Sequence, residues 1–293
     1  VLFTFLLTLG ALGLVRFFDQ ERLGVLAAAG LVLGLATLTR SVLQVYPPVF
    51  AVLALVGLRR RPAARRLAAI AVFVACFSLP VAPWVVRNSL LHGRPTPVDT
   101  TAERVLRPRL ESLATGEAGE RQRLGRPGPL AGLAAIPAQA LLFWRVDREL
   151  AAAAARGWLG PLPGAMVVAL GVAIGGYYAA LLLAGLCGAI LQPPRPIHLA
   201  VVLSFVVAIC GAHALTFGHS RYHIPLMPLV ALFAARLVVA GPGRPTRRRV
   251  AAAAGGVLLL LGSWTLNLVR EDLPELRQGL EGSLRLPRYH ARE

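Results

Sequence analysis

The sequence predicts an all-α polytopic membrane protein with about eight transmembrane helices and one large extracytoplasmic loop. Three observations predict it. The chain is 56% hydrophobic, with a mean hydropathy of +0.64, and only 15% of its residues are charged. Its apolar residues gather in long runs bounded by arginine and proline, the pattern of helices that cross a bilayer. The runs carry no polar stripe at helical spacing, which a helix lying on a soluble core would need.

Each element follows in order. The first helix runs from about Val1 to Val15 and ends at Arg16, and Phe17 to Arg22 reads as a polar turn. This opening run starts mid-hydrophobic and is short for a span of about 20 residues, so it reads as the remainder of a longer segment whose first part lies upstream. It has no charged start and is not a signal peptide. The second helix covers about Leu23 to Leu38 and ends in Thr39-Arg40-Ser41. The third, about Val42 to Leu58, contains Pro47 and Pro48 close to its start, where the first turn has no internal partners for its N–H groups. The fourth, about Leu67 to Val86, ends at Pro83-Trp84-Val85-Val86-Arg87-Asn88.

Residues 87–161 then form the one long polar segment, the extracytoplasmic loop, with an amphipathic helix over 139–156. Leu141, Leu142, Phe143, Trp144, Val146 and Leu150 give that helix an apolar side suited to a membrane surface or to packing on the loop. The fifth to eighth helices follow at about 162–191, 197–217, 224–240 and 250–269, and a polar tail covers 270–293.

Charge sets the orientation. The net charge is +17 and every basic residue is arginine, since the chain has no lysine. The short turns at 59–66 and 241–249 hold nine arginines and belong on the cytoplasmic side. Alternation puts 16–22 and 192–196 beside them. It puts Arg40, the 87–161 loop, 218–223 and the tail outside. Arginines placed this way serve membrane topology, and no nucleic-acid partner is expected. An alanine-, glycine- and arginine-rich chain without lysine suggests a high-GC bacterial source, hence a multi-pass protein of the bacterial cell membrane. The three cysteines, Cys76, Cys187 and Cys210, lie inside apolar runs and read as small core residues.

The outer segments carry the candidate site residues: Arg40, Arg87, Asn88, His219, Arg221 and Tyr222. A planar guanidinium matches a phosphate through two parallel hydrogen bonds, so several arginines on one face could hold a lipid-linked phosphate. Each alone is equally explained by snorkelling to the headgroups. His219 and His223 stand four apart, but no carboxylate or cysteine nearby completes a ligand set, so no metal is expected. Asp99 and Glu103 are the first outer acids after the fourth helix, a weak acid–base signal. No phosphate-binding glycine loop or hydrolase motif occurs, and no cofactor is assigned.

Four segments resemble the GT-C class of membrane glycosyltransferases, and more narrowly the bacterial relatives of dolichyl-phosphate-mannose–protein mannosyltransferase and aminoarabinose transferase. Gly34-Leu35-Ala36-Thr37-Leu38-Thr39-Arg40 resembles that family's "GLA-LTR" helix end. Pro83-Trp84-Val85-Val86-Arg87-Asn88, with Gly93-Arg94 and Pro97-Val98, resembles its approach to the large outer loop. Phe143-Trp144 with Asp147-Arg148-Glu149 resembles an "FW…DRE" patch, and Ser220 to Pro228 resembles an "xRYRxPLxP" helix start in which His223 replaces an arginine. The resemblance implies transfer of a sugar from a polyprenyl-phosphate carrier to an envelope acceptor on the outer face. It implies membrane lipid and a lipid-linked sugar donor as partners. It also implies a catalytic acid in a first outer loop upstream of Val1, so no catalytic residue is assigned here. An O-antigen ligase or polymerase type of enzyme, a multi-spanning transporter and a structural membrane subunit are the competing readings.

Overall fold

A computed structural model describes residues 1–98, 137, 140–146, 163–216, 222–239 and 245–269. Eight α-helices lie among them: α1 (Leu2–Gln20), α2 (Leu23–Thr39), α3 (Tyr46–Gly57), α4 (Ala63–His92), α5 (Gly164–Leu191), α6 (Pro196–Thr216), α7 (Met227–Val239) and α8 (Arg247–Asn267). Short 3-10 turns, Ser41–Val45 and Ile224–Leu226, lead into α3 and α7. No strand occurs among the described residues. Five helices, α1, α4, α5, α6 and α8, are long and apolar enough to cross a membrane. The other three are shorter apolar helices.

Helix direction follows from close contacts at small residues. In α1 and α2, Gly10 meets Leu33 and Gly13 meets Ala29, so these helices are antiparallel. In α2 and α4, Gly30 meets Phe73 and Cys76, and Gly34 meets Phe77 and Pro80, so these run parallel. Gly185 and Gly188 of α5 face Val230 and Phe233 of parallel α7, and Gly256 of α8 faces Leu186 of α5. Lipid offers no hydrophobic drive between apolar helices, so close backbone packing at small residues does the work. An aromatic core joins the halves. Tyr46 stacks on Phe205 at 4.5 Å, Phe50 on Phe73 at 4.0 Å, and the buried Tyr46 hydroxyl pairs with the Ser204 hydroxyl at 2.8 Å.

Two helices outrun the sequence expectation. α1 continues past Arg16 to Gln20 because its buried face, Phe3, Leu7, Ala11, Leu14 and Phe17, keeps its three-to-four-residue spacing through Phe17. Glu21 then takes a left-handed φ of 52° and closes it. α4 does not stop near Val86 but runs to His92, with Pro80 and Pro83 inside it. The ring of Pro80 sits in the space left by Gly34, and the helix ends where Gly93 adopts φ 62°. Arg87 and Asn88 are therefore helical. α3 agrees with the expectation: Pro47 and Pro48 lie in its first turn.

Polar groups collect at the two ends of the bundle. At one end Arg61 pairs with Glu21 at 2.7 Å, the Arg65 guanidinium donates to the Glu21 carbonyl, and Arg195 and His198 reach Asp19 at 3.0 and 2.9 Å. Arg236 donates to the Gln192 carbonyl at 3.2 Å. These contacts bring together turns that the arginine alternation places on one side. We call this the arginine-rich end, and the opposite one the aromatic end.

Candidate functional site

The aromatic end is built from the ends of α2, α4 and α6, the 3-10 turn before α7, and residues 140–146. Arg40 terminates α2 in an extended conformation (φ −156°, ψ 111°). This turns its side chain off the helix axis, and its guanidinium lies 4.8 Å above the Tyr222 ring and 5.9 Å from that of Phe3. Tyr222 stacks in turn on His213 of α6, with centroids 4.0 Å apart and planes 12° from parallel. Cation, tyrosine and imidazole thus form one column, held by the attraction of a ring face for a positive charge.

Beside the column lies a second cluster. Phe143 is fully buried, 5.9 Å from His213 and edge-on to His223 at 6.1 Å. His223 is also buried, and its Nδ1 bonds the Phe143 carbonyl at 2.8 Å. Its ring is packed between Tyr178 at 4.5 Å and Trp144 at 6.0 Å. The Trp144 carbonyl accepts two hydrogen bonds, from the Tyr178 hydroxyl at 3.0 Å and the Trp264 indole at 2.9 Å. Backbone carbonyls inside an apolar bundle must be satisfied by protein donors, and here α5, α8 and the 222–226 turn supply them.

Residues 140–146 therefore form a plug set into the helix bundle. Of the expected surface helix over 139–156, the described residues show helix at 140–143 and then a bend at Trp144–Arg145. Its remaining residues, 139 and 147–156, lie outside the described residues. Burial of Phe143 and the three hydrogen bonds to its backbone are what draw this segment inward.

Arg87 and Asn88 make a separate group. The Arg87 guanidinium lies 5.0 Å over the ring of Trp84 and 3.4 Å from the Asn88 amide oxygen. The Asn88 amide nitrogen donates to the carbonyls of Pro97 and Val98 at 3.2 and 3.3 Å, and the Trp84 indole also reaches Val98. Ser89 fixes Thr96 by a backbone N–H bond of 2.9 Å. Together these fold residues 93–98 back onto the end of α4. Of the expected site residues, the structure joins Arg40 to Tyr222 and Arg87 to Asn88. The partners of Arg87 are Trp84 and Asn88, not Arg40 or Tyr222. His219 and Arg221 lie outside the described residues.

An apolar groove of about 450 Å³ is lined by Val1, Thr4, Phe5, Thr8, Ile224 and Pro228, in the same first turns of α1 that carry Phe3. No cluster of His, Cys, Asp or Glu able to hold a metal occurs among the described residues. The residues that sequence reasoning passes over are Tyr178 and Trp264, and it gives His223 no bond to a docked backbone. Tyr178 sits in the middle of α5 and Trp264 in the last turn of α8, both in apolar runs where an aromatic reads as lipid-facing or core. Their common acceptor is a backbone carbonyl, which leaves no mark in a sequence.

These features define an α-helical protein of the membrane-associated class, its polar and aromatic groups gathered at the bundle ends. No protein-family model, no curated protein and no solved structure matches the chain.

Proposed function

We propose that this chain is part of a membrane glycosyltransferase that takes a sugar from a polyprenyl-phosphate carrier and passes it to an envelope acceptor. In this reading all eight helices span the bacterial cell membrane, the arginine-rich end faces the cytoplasm, and the aromatic end and the 93–163 segment face outward. Length supports the outward segment. α4 has 30 residues and α5 has 28. At 1.5 Å per residue each is more than 40 Å long, which exceeds a hydrocarbon core of about 30 Å.

The observation that carries the proposal is a guanidinium set on the rings of Tyr222 and Phe3, with an apolar groove lined by other residues of the first turns of α1 and by Ile224 and Pro228. A polyprenyl phosphate needs an apolar channel for its tail and a cation where the tail ends. The groove lining and Arg40 meet that pair of demands. In the reaction the acceptor oxygen attacks the anomeric carbon. The bond from that carbon to the phosphate oxygen breaks, and the carrier phosphate leaves with an added negative charge. Arg40 would stabilise that charge as it develops, and the Tyr222 ring beneath its guanidinium would help to position it. The acceptor proton passes to a carboxylate outside the described residues.

The test is Arg40→Lys, assayed in the intact protein as its host makes it, with transfer of labelled sugar from a polyprenyl-phosphate donor as the readout. Lysine keeps the charge and loses the fork. Loss of a charge-assisted hydrogen bond costs about 1.5–3 kcal/mol, so transfer should fall about 10- to 100-fold. Unchanged transfer in a normally inserted Arg40→Lys protein would reduce Arg40 to a headgroup anchor.

A further inference from the structure

We propose that the arginine-rich end holds an anionic phospholipid. Its headgroup phosphate sits on Arg59, Arg60 and Arg66, and its acyl chains lie along the exposed apolar flank of α3 and α4. The argument begins with charge. The C-terminal part of α1 and the segments 21–22, 58–66 and 192–198 carry Arg16, Arg22, Arg59, Arg60, Arg61, Arg65, Arg66 and Arg195. Against these eight arginines stand two carboxylates, Asp19 and Glu21, and no others occur among the described residues. Both are engaged already: Glu21 by Arg61, and Asp19 by Arg195 and His198.

Arg59 and Arg60 are exposed in a tight turn and have no side-chain partner among the described residues. Arg66 is half-buried one turn into α4, and its Nε is shielded from solvent with no acceptor within range. A shielded donor on a cation calls for an anion, and the described residues supply none within its reach. A guanidinium recognises a phosphate better than a point charge would.

What separates a phospholipid from free phosphate is the surface next to these arginines. Val52, Leu55 and Val56 of α3 are exposed, and Leu67, adjacent to Arg66, is 62% exposed. α3 is apolar and α4 carries no charge from Leu67 to Val86, so the arginines stand at the level of the headgroups, with open hydrocarbon-binding surface below. Anionic lipid is attracted to arginines in this position, and the attraction is strongest where several act together. The inference is independent of the sugar-transfer reading, since it concerns the opposite end of the bundle.

The test uses the purified full chain in nanodiscs of phosphatidylcholine with a minor fraction of spin-labelled phosphatidylglycerol. Lipid immobilised by the protein is counted with and without excess inorganic phosphate. Arg59→Gln/Arg60→Gln/Arg66→Gln is compared with a control of equal charge, Arg247→Gln/Arg248→Gln/Arg249→Gln. The expected result is a drop of about tenfold in apparent phosphatidylglycerol affinity for the first triple and less than twofold for the control. Labelled phosphatidylcholine should be unaffected by either, and inorganic phosphate should not compete. Equal losses in both triples would reduce the effect to general surface charge and overturn the site. Competition by millimolar phosphate would assign the arginines to a soluble anion and overturn the lipid. Should the triple variant fail to fold, Arg66→Gln alone decides: it must weaken phosphatidylglycerol binding at least threefold, and no change would refute the proposal.

Discussion

Gly188→Ala tests the packing argument at its tightest point. Gly188 of α5 faces α7, and a Cβ placed there would run into the Phe233 carbonyl oxygen, with the carbonyl carbon 2.7 Å away and the Leu237 Cβ at 3.4 Å. Carbon atoms pack best at about 3.5–4.0 Å, so α5 and α7 must part by roughly 1 Å. The obstacle is backbone and cannot swing aside as a side chain would. Overpacking of this kind costs about 1–3 kcal/mol, and the rigid acceptor argues for the upper end. Alanine returns about 1 kcal/mol of helix propensity. The net is a destabilisation of about 2 kcal/mol, or a midpoint lower by about 4–8 °C at the usual 2–4 °C per kcal/mol. Gly176 and Gly211 meet nothing within 4 Å, so alanine there should leave the midpoint unchanged or raise it slightly. The free, half-buried thiols Cys76, Cys187 and Cys210 offer the assay, because a maleimide dye reports their exposure as detergent-purified protein is heated. If Gly188→Ala melts together with Gly176→Ala, the helices are not in backbone contact and the reasoning fails.

Further outcomes follow from the aromatic end and from the topology. The Trp144 carbonyl accepts from both Tyr178 and Trp264. Tyr178→Phe alone should therefore cost about 0.5–1.5 kcal/mol. In a Trp264→Phe background the same change should cost more, because the carbonyl is then left bare; strict additivity in a double-mutant cycle would argue against a shared acceptor. In a cysteine-free background, Pro62→Cys should label from the cytoplasmic side and Arg94→Cys from the outside with a membrane-impermeant maleimide. The reverse pattern would invert the orientation. Glu21→Gln should lower stability by no more than about 1 kcal/mol, because the Arg61–Glu21 pair is solvent-exposed and exposed pairs contribute little. A larger loss would mean that the pair governs how α1 and α4 meet.

Much of the architecture is legible in the sequence, and what escapes it has identifiable causes. Eight apolar runs match eight helices within a few residues because hydropathy and helix length are local properties. The longest misses are at Val86 and Arg16. A proline and a charge read as stops there, whereas a helix backed by a neighbour continues through both. Pro80 is accommodated by the space beside Gly34, a fact about a residue 46 positions away. The grouping of the arginine-rich turns follows from alternation and reappears in the ion pairs of Asp19 and Glu21. The pairing of Arg40 with Tyr222 is different, because it needs the end of α2 to meet the turn that leads into α7, which no local pattern states.

The aromatic end also constrains where acid–base chemistry could come from. Among the described residues the two carboxylates both lie at the arginine-rich end, a bundle length away and already paired. His223 is buried, with one ring nitrogen on the Phe143 carbonyl. His213 is buried against Tyr222 and within one column with Arg40. What the described residues of this end offer is a fixed cation, stacked rings and a docked backbone, groups suited to binding and orienting an anion. In a transfer reaction the general base would come from a carboxylate outside the described residues, in the upstream outer loop that the resemblance implies or in the 87–161 segment, where Asp99, Asp147 and Glu149 are the acids closest in sequence to described residues. Asp147 follows directly on the docked plug and should be the first of the three replaced by its amide.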